Sequence, residues 1–126
     1  MILDASAIVA VVRLEPEGRS FESAIEQART NGLSAATLLE TSLVLGPELD
    51  PTLDRFIELA HITIEPVTGA QVRLARTAYR RFGRGTGHPA GLNFGDCFSY
   101  ALAMDKRQPL LFKGNDFSQT DVLAAR

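Results

Sequence analysis

Apolar residues recur at helical spacing along most of the chain. In residues 16–29 they follow one another at steps of three and four, which predicts an amphipathic helix with one buried face. The members of that face are Phe21, Ala24, Ile25 and Ala28. Comparable patterns predict five further helices, at residues 6–12, 37–45, 53–60, 68–82 and 93–106.

Short apolar runs between these helices predict strands. They lie at residues 1–3, 33–36, 61–67 and 109–112, and the glycine-rich segment 83–91 predicts a loop. Strands that alternate with helices pair in parallel, because each helix returns the chain to the same end of the sheet. The predicted fold class is therefore α/β, a three-layer α/β/α domain around a central parallel sheet of four to five strands.

Length and composition limit the kinds of protein that the chain can be. A sequence of 126 residues with 45% hydrophobic and 22% charged residues predicts one globular domain over residues 1–126. Its longest apolar run, residues 7–12, is far shorter than the roughly 18 residues that span a bilayer. The single cysteine, Cys97, excludes an internal disulfide and a four-cysteine zinc site, and it favours a reducing, cytoplasmic location.

Charge is distributed unevenly along the chain. The formal net charge is −2, yet residues 66–95 hold five arginines and no acid. Four arginines in this part of the chain recur at steps of three and four residues: Arg73, Arg76, Arg80 and Arg84. An apolar stripe of Val72, Ala75, Tyr79 and Phe82 runs beside them. The arginines therefore form either a patch that binds nucleic-acid phosphates or an ordinary solvated helix face.

Four acidic residues stand at or just beyond predicted strand ends, where open parallel sheets bind their ligands. They are Asp4, Glu40, Asp96 and Asp116. Carboxylates gathered at one edge repel each other unless a cation neutralises them. Oxygen ligands of this kind select Mg²⁺ or Mn²⁺, and such a site can support hydrolysis of a phosphodiester bond.

Each of these acids also has a purely structural interpretation. Thr37 and Glu40 have the spacing of a capping box, as do Asn93 and Asp96. Asp4 can cap the helix that follows it, and Asp116 lies in a sequence typical of turns. Helix capping alone does not explain why three of the four predicted strand ends carry an acid.

Other reactive side chains have weaker patterns. Cys97 has no histidine in a convincing partner position and is expected to be a small buried residue. His61 begins a predicted strand and His88 precedes a proline in the loop, so neither fits a metal-binding motif. The chemistry of the chain therefore centres on its acids.

Four segments resemble the PIN-domain ribonucleases, specifically the VapC toxins of bacterial toxin–antitoxin pairs. They are residues 1–7, 37–41, 92–103 and 109–121. The resemblance implies a Mg²⁺- or Mn²⁺-dependent endoribonuclease whose catalytic acids are the four named above, with Asp4 and Asp96 as principal metal ligands. It also implies that Ser6 and Asn93 orient ligands or water beside them.

The resemblance further implies partners. Similar proteins form homodimers and are silenced by a small antitoxin protein that occupies the active-site groove. Our hypothesis is therefore a toxic endoribonuclease that hydrolyses RNA and pairs with a cognate antitoxin. Two alternatives stay open from the sequence: a phosphoacceptor signalling domain, and a catalytically silent PIN-like module that binds a partner protein.

Overall fold

Four short parallel strands form the centre of the structure, a computed structural model that describes residues 1–125. The strands are β1 (Ile2–Leu3), β2 (Asn31–Ser34), β3 (Ile62–Glu65) and β4 (Leu110–Leu111). They lie in the order β3-β2-β1-β4, with Ile2 opposite both Gly32 and Leu110. The carboxyl ends of all four strands therefore point to the same edge of the sheet, as predicted.

The C-terminal segment extends this sheet. Ala124 pairs in parallel with Leu110, and the Leu110 N–H donates to the Leu123 carbonyl at 2.8 Å. The Tyr100 hydroxyl donates to Asp121 Oδ1 at 2.6 Å and attaches the segment to the helical layer. The segment covers the open edge of β4 in the manner of a fifth strand.

Six α-helices flank the sheet. They are α1 (Ala5–Val12), α2 (Gly18–Gln27), α3 (Ala35–Leu45), α4 (Asp50–Leu59), α5 (Gly69–Phe82) and α6 (Phe94–Lys106). Two short 3₁₀ helices, Pro47–Leu49 and Phe117–Gln119, follow α3 and β4. Within residues 1–125 no helix combines the length and the apolar character needed to cross a bilayer.

The helices divide between two hydrophobic cores. Leu3 and Leu111 point into a core shared with α1 to α4, whereas Ile2 and Leu110 point into one shared with α5 and α6. Neighbouring strand residues face opposite sides of a sheet, so β1 and β4 each supply both cores. This arrangement is the predicted three-layer α/β/α fold.

Two predicted boundaries were wrong near β2. The strand was expected at residues 33–36, but it covers Asn31–Ser34, and α3 begins at Ala35 with Ser34 as its cap. Gly32 is a strand residue because it pairs with β1 on one side and β3 on the other. The preceding helix covers Gly18–Gln27 rather than residues 16–29.

The predicted faces of α5 were also partly wrong. Its buried residues are Gln71, Ala78 and Phe82, whereas Val72 and Tyr79 stay 43% and 42% exposed. Gln71 is buried because α5 packs on α6, where its side chain donates to Asp105 at 3.1 Å. The helix ends at Phe82, so Arg84 lies beyond it and does not continue the helical stripe.

Candidate active site

The structure brings the four predicted acids to one edge of the sheet. Asp4 follows β1, Glu40 lies in the second turn of α3, Asp96 lies in the first turn of α6, and Asp116 follows β4. Their charges influence one another: Asp4 and Asp96 raise the pKa of Glu40, and Asp4 and Asp116 raise the pKa of Asp96. We call these four residues the acidic cluster.

Asp4 is the most buried member of the cluster, with 4% of its surface exposed. Its Oδ2 accepts hydrogen bonds from the Ser6 N–H at 3.0 Å and the Ser6 hydroxyl at 2.6 Å. Its Oδ1 accepts one from the Ser99 hydroxyl at 2.6 Å, and Ser99 lies 3.3 Å from the Thr37 hydroxyl. These donors hold the carboxylate in one orientation.

Asp96 is held by the capping box that its spacing predicts. The Asn93 side chain accepts from the Asp96 N–H at 2.9 Å, and Asp96 Oδ2 accepts from the Asn93 N–H at 2.9 Å. Burial is the main cause that raises the pKa of Asp96 to about 6, with Asp4 and Asp116 adding to it. The Asn93 hydrogen bond and the Arg84 charge act in the opposite direction.

Glu40 has no capping role. The cap of α3 is Ser34, whose side chain accepts from the Ala36 N–H at 3.3 Å, and Thr37 is buried inside the helix. Burial, followed by the charges of Asp4 and Asp96, raises the pKa of Glu40 to about 7. Its carboxylate lies in the space that a side chain on Gly95 would occupy. The capping-box interpretation of Thr37 and Glu40 is therefore wrong.

Asp116 is the exposed member of the cluster. It precedes the 3₁₀ helix Phe117–Gln119, and its side chain makes no capping hydrogen bond there. The loop that leads to it is attached to Ser6, whose hydroxyl accepts from the Lys113 N–H at 3.0 Å. Ser6 thus contacts both Asp4 and the loop of Asp116.

The chemistry of the cluster fits a hard divalent cation. Burial and then the charges of neighbouring carboxylates raise the pKa of Glu40 and of Asp96, so a cation placed among the acids would relieve an unfavourable charge density. Within the described 125 residues, no three His, Cys, Asp or Glu side chains stand close enough to hold an ion by themselves. Mg²⁺ commonly takes one or two protein carboxylates and completes its shell with water and phosphate oxygens, so a site for it does not require three protein ligands.

The four predicted arginines separate into two groups. Arg73, Arg76 and Arg80 are exposed on α5, and the last two line a groove with Tyr79 and Phe98. Arg84 lies beyond the helix, where its backbone N–H donates to the Leu92 carbonyl at 2.9 Å. Of the four, Arg84 is the one whose charge acts on Asp96.

Cys97 is buried, and burial followed by the Asp96 charge raises the pKa of its thiol to about 11. Its Sγ–H donates to the Asn93 carbonyl at 3.4 Å. A thiol with a raised pKa is a poor nucleophile at neutral pH, so the structure supports the packing role expected from the sequence.

Three residues of the site were missed in the sequence: Thr37, Gly95 and Ser99. Ser99 follows Asp96 by three positions, the spacing that places two residues on the same face of a helix. Buried hydroxyl residues on otherwise apolar helix faces could have identified Ser99 and Thr37. Gly95 had no sequence signal, because its role depends on a side chain of another helix.

Comparisons with known proteins agree with the fold. The PIN domain family model matches residues 1–123. The chain therefore belongs to the PIN-domain family and not to the phosphoacceptor class.

Among curated relatives, Ribonuclease VapC28 of Mycobacterium tuberculosis is 54% identical over 99% of this chain and 97% of its own length. Within the PIN family the chain belongs to the VapC ribonucleases. Its fold is shared by the crystal structure of Mycobacterium tuberculosis VapC20, a Sarcin-Ricin loop cleaving toxin. That structure has a TM-score of 0.73 and 17% identity over 97% of this chain and 95% of that one.

A toxin–antitoxin complex from Klebsiella pneumoniae also has this fold, with a TM-score of 0.71 and 17% identity. The match covers 99% of this chain and 97% of that one.

Proposed function

We propose that this chain, as a single nuclease domain over residues 1–126, is the toxic endoribonuclease of a toxin–antitoxin pair and hydrolyses RNA with Mg²⁺ or Mn²⁺. The observation that carries the proposal is the acidic cluster at the carboxyl edge of the sheet, where burial and then neighbouring carboxylates raise the pKa values of Glu40 and Asp96. Membership of the VapC ribonucleases supports the same activity.

In this proposal Asp4 and Asp96 hold the metal ion. Both carboxylates are fixed by hydrogen bonds, Asp4 through Ser6 and Ser99 and Asp96 through Asn93. The ion, when bound, supplies positive charge for the scissile phosphate and lowers the pKa of water. Ser6 and Asn93 are assigned positioning roles in this proposal, because each donates a hydrogen bond to one of these two acids.

Glu40 is the best placed general base of the cluster. In the ion-free protein, burial and then the charges of Asp4 and Asp96 raise its pKa to about 7. A half-buried carboxylate beside the two metal-binding acids is the group assigned to take a proton from the attacking water. Asp116 is exposed, so it is free to contact the substrate or its water from the open side of the cluster. Arg84, which acts on Asp96, is the arginine assigned to the phosphate beside the cut.

The central test replaces the two metal-binding acids. Asp4→Asn or Asp96→Asn should lower RNA cleavage by at least about 100-fold, because a neutral amide binds a divalent ion poorly. Cleavage of labelled RNA and growth on induction of each variant measure the effect, and circular dichroism verifies folding. Asp54→Asn, an exposed aspartate of α4, is the matched control. Cleavage that survives both changes and a chelator would contradict the proposal.

The remaining arginines, Arg73, Arg76 and Arg80, are proposed to attract RNA from the exposed side of α5. Contacts of this kind weaken with salt, so their loss should raise KM and reduce its salt dependence without changing the chemical step. The sequence alternative, a solvated face, predicts no change in either quantity.

We also propose a homodimer formed through an exposed apolar face. This apolar face comprises Leu39, Leu43 and Val44 of α3, Val72 and Tyr79 of α5, and Phe94 and Phe98 of α6. Phe94 and Leu43 are 78% and 73% exposed, which is unusual for a surface that faces only water. A second copy of the chain is the proposed occupant, and the cognate antitoxin is assigned to the groove around the acidic cluster.

A further inference from the structure

Lys113 joins two parts of the chain that flank the acidic cluster. Its Nζ lies 2.6 Å from Glu15 Oε1 and 3.3 Å from Glu17 Oε2, in the connection between α1 and α2. Its backbone N–H donates to the Ser6 hydroxyl at 3.0 Å. We call Lys113, Glu15 and Glu17 the lysine clamp.

The clamp begins the loop that carries Asp116. Lys113 is followed by Gly114, whose φ of +93° turns the chain in a conformation that favours glycine. Asp116 comes two residues later, and its own side chain makes no capping bond that would fix it. The buried Phe117 holds Asp116 from the C-terminal side, and the start of the loop holds it from the N-terminal side.

Hydrogen bonds of Ser6 also connect this loop to Asp4, the most buried acid. The Ser6 hydroxyl accepts from Lys113 and donates to Asp4 Oδ2 at 2.6 Å, so one side chain connects the loop to the metal-binding acid. A shift of Lys113 would change both the direction of the Ser6 hydroxyl and the path of the chain to Asp116.

We propose that Lys113 is a positioning residue that holds Asp116 against the acidic cluster through the lysine clamp. The inference rests on the proposed ribonuclease function. The ammonium group contacts two carboxylates and its side chain is 39% exposed, so it is engaged within the protein and is not a free cation aimed at RNA. An exposed ion pair adds little to global stability, so its effect on activity can be measured in a folded chain.

The experiment compares Lys113→Met with the double variant Glu15→Gln/Glu17→Gln, using a fluorogenic single-stranded RNA of mixed sequence. Each should lower kcat about tenfold, in the range found when a group that orients a metal ligand is lost, with KM nearly unchanged. The triple variant should be no worse, because both changes remove the same contact. Lys113→Arg should restore most of kcat.

Lys106→Met is the matched control. Lys106 pairs with Glu65 at 3.8 Å and has similar exposure, but it lies ten residues from Asp96, about 15 Å along α6. Its removal should leave kcat unchanged. Thermal melting should verify that all the variants are folded.

Amide hydrogen exchange of the peptide over residues 113–117 provides a measurement that needs no RNA. Lys113→Met and Glu15→Gln/Glu17→Gln should speed exchange there, and unchanged exchange in both would overturn the clamp. A raised KM with normal kcat in Lys113→Met would overturn the clamp, because it would indicate that Lys113 contacts RNA directly. A normal kcat in Glu15→Gln/Glu17→Gln would also overturn the clamp. Failure of the wild-type chain to cut any RNA would instead overturn the proposed function, while the exchange result still tests the clamp.

Discussion

Asp4 and Asp96 each make a hydrogen bond at the start of a helix and are also members of the acidic cluster. Asp4 Oδ2 accepts from the Ser6 N–H at the start of α1, and Asp96 Oδ2 accepts from the Asn93 N–H at the start of α6. A carboxylate has about four lone-pair sites, so the three hydrogen bonds to Asp4 and the one to Asp96 still leave sites for a ligand. Capping and metal binding, which are alternatives in the sequence, are compatible in the structure.

Replacement of Gly95 is expected to lower RNA cleavage while the stability of the fold is nearly unchanged. A methyl group at this position would occupy the space of the Glu40 carboxylate, which is the mobile end of a flexible side chain. Gly95→Ala should therefore displace Glu40 at little cost in stability, because alanine is also favoured over glycine in a helix by about 1 kcal/mol. We expect a loss of cleavage of about tenfold or more with a melting temperature near that of the wild type.

Gly69→Ala is the control for this change. Gly69 begins α5, and the nearest atom to an added methyl group would be 3.9 Å away on Arg73, an ordinary contact. Full activity in Gly95→Ala would show that Glu40 does not need its present position.

At the scale of elements, α3 shows where sequence patterns fail. Asn31 and Gly32 are typical turn residues, and Thr37 with Glu40 has capping spacing, so the sequence places the strand and the helix two residues too late. Pairing of β2 with strands on both sides brings Asn31 and Gly32 into the sheet, and Ser34 then caps the helix. Sheet register is a tertiary property that local propensity does not contain.

Helix α6 shows where sequence patterns succeed. The capping box of Asn93 and Asp96 and the end of the helix at Lys106 agree with the structure. The start signal is a direct hydrogen-bond requirement of the backbone, so it is visible locally. The faces of α5 were harder to predict, because burial of Gln71 depends on Asp105 of a later helix.

For the whole molecule, topology was enough to gather the acidic cluster. Alternating strands and helices place all strand ends at one edge, so Asp4, Glu40 and Asp116, which come after β1, β2 and β4, could be predicted to be neighbours. The contacts of Gly95 and Lys113 could not be predicted, because they depend on residues that are far away in the chain.

The acidic cluster should make the ion-free protein lose stability as pH rises. The folded-state pKa values of Glu40 and Asp96, about 7 and about 6, exceed their ordinary values of 4.5 and 3.8. The folded state then binds protons more tightly than the unfolded state, so this contribution is full below about pH 4 and is lost as pH rises through 6 to 7. In the presence of a chelator, the melting temperature of Glu40→Gln should therefore be higher than that of the wild type at pH 8. At pH 5 this difference in melting temperature should disappear.

Calorimetry at a series of pH values measures this difference. Mn²⁺ at pH 8 should raise the melting temperature of the wild type, since the ion replaces the lost protons. Glu58→Gln, an exposed glutamate of α4, should follow the wild type at every pH. A constant offset between Glu40→Gln and the wild type would contradict the assigned pKa.

The apolar face carries the prediction about assembly. Leu43→Asp places a charge in the centre of this face, so it should convert a dimer of the 13.7 kDa chain into a monomer. Light scattering after size exclusion measures the mass. Leu123→Asp, which changes a leucine that is 67% exposed and outside the face, should leave the dimer intact. If the wild type is a monomer and Leu43→Asp no longer binds the antitoxin, the dimer proposal is wrong and the apolar face binds the antitoxin instead.

The repulsion between Glu40 and Asp96 also has a consequence for protein engineering. A library screened only for survival of heating in the absence of divalent ions would be enriched first in neutral substitutions at these two positions. Such substitutions relieve crowded negative charge and leave both hydrophobic cores intact. The most heat-stable variants selected in this way would then be variants that no longer cut RNA.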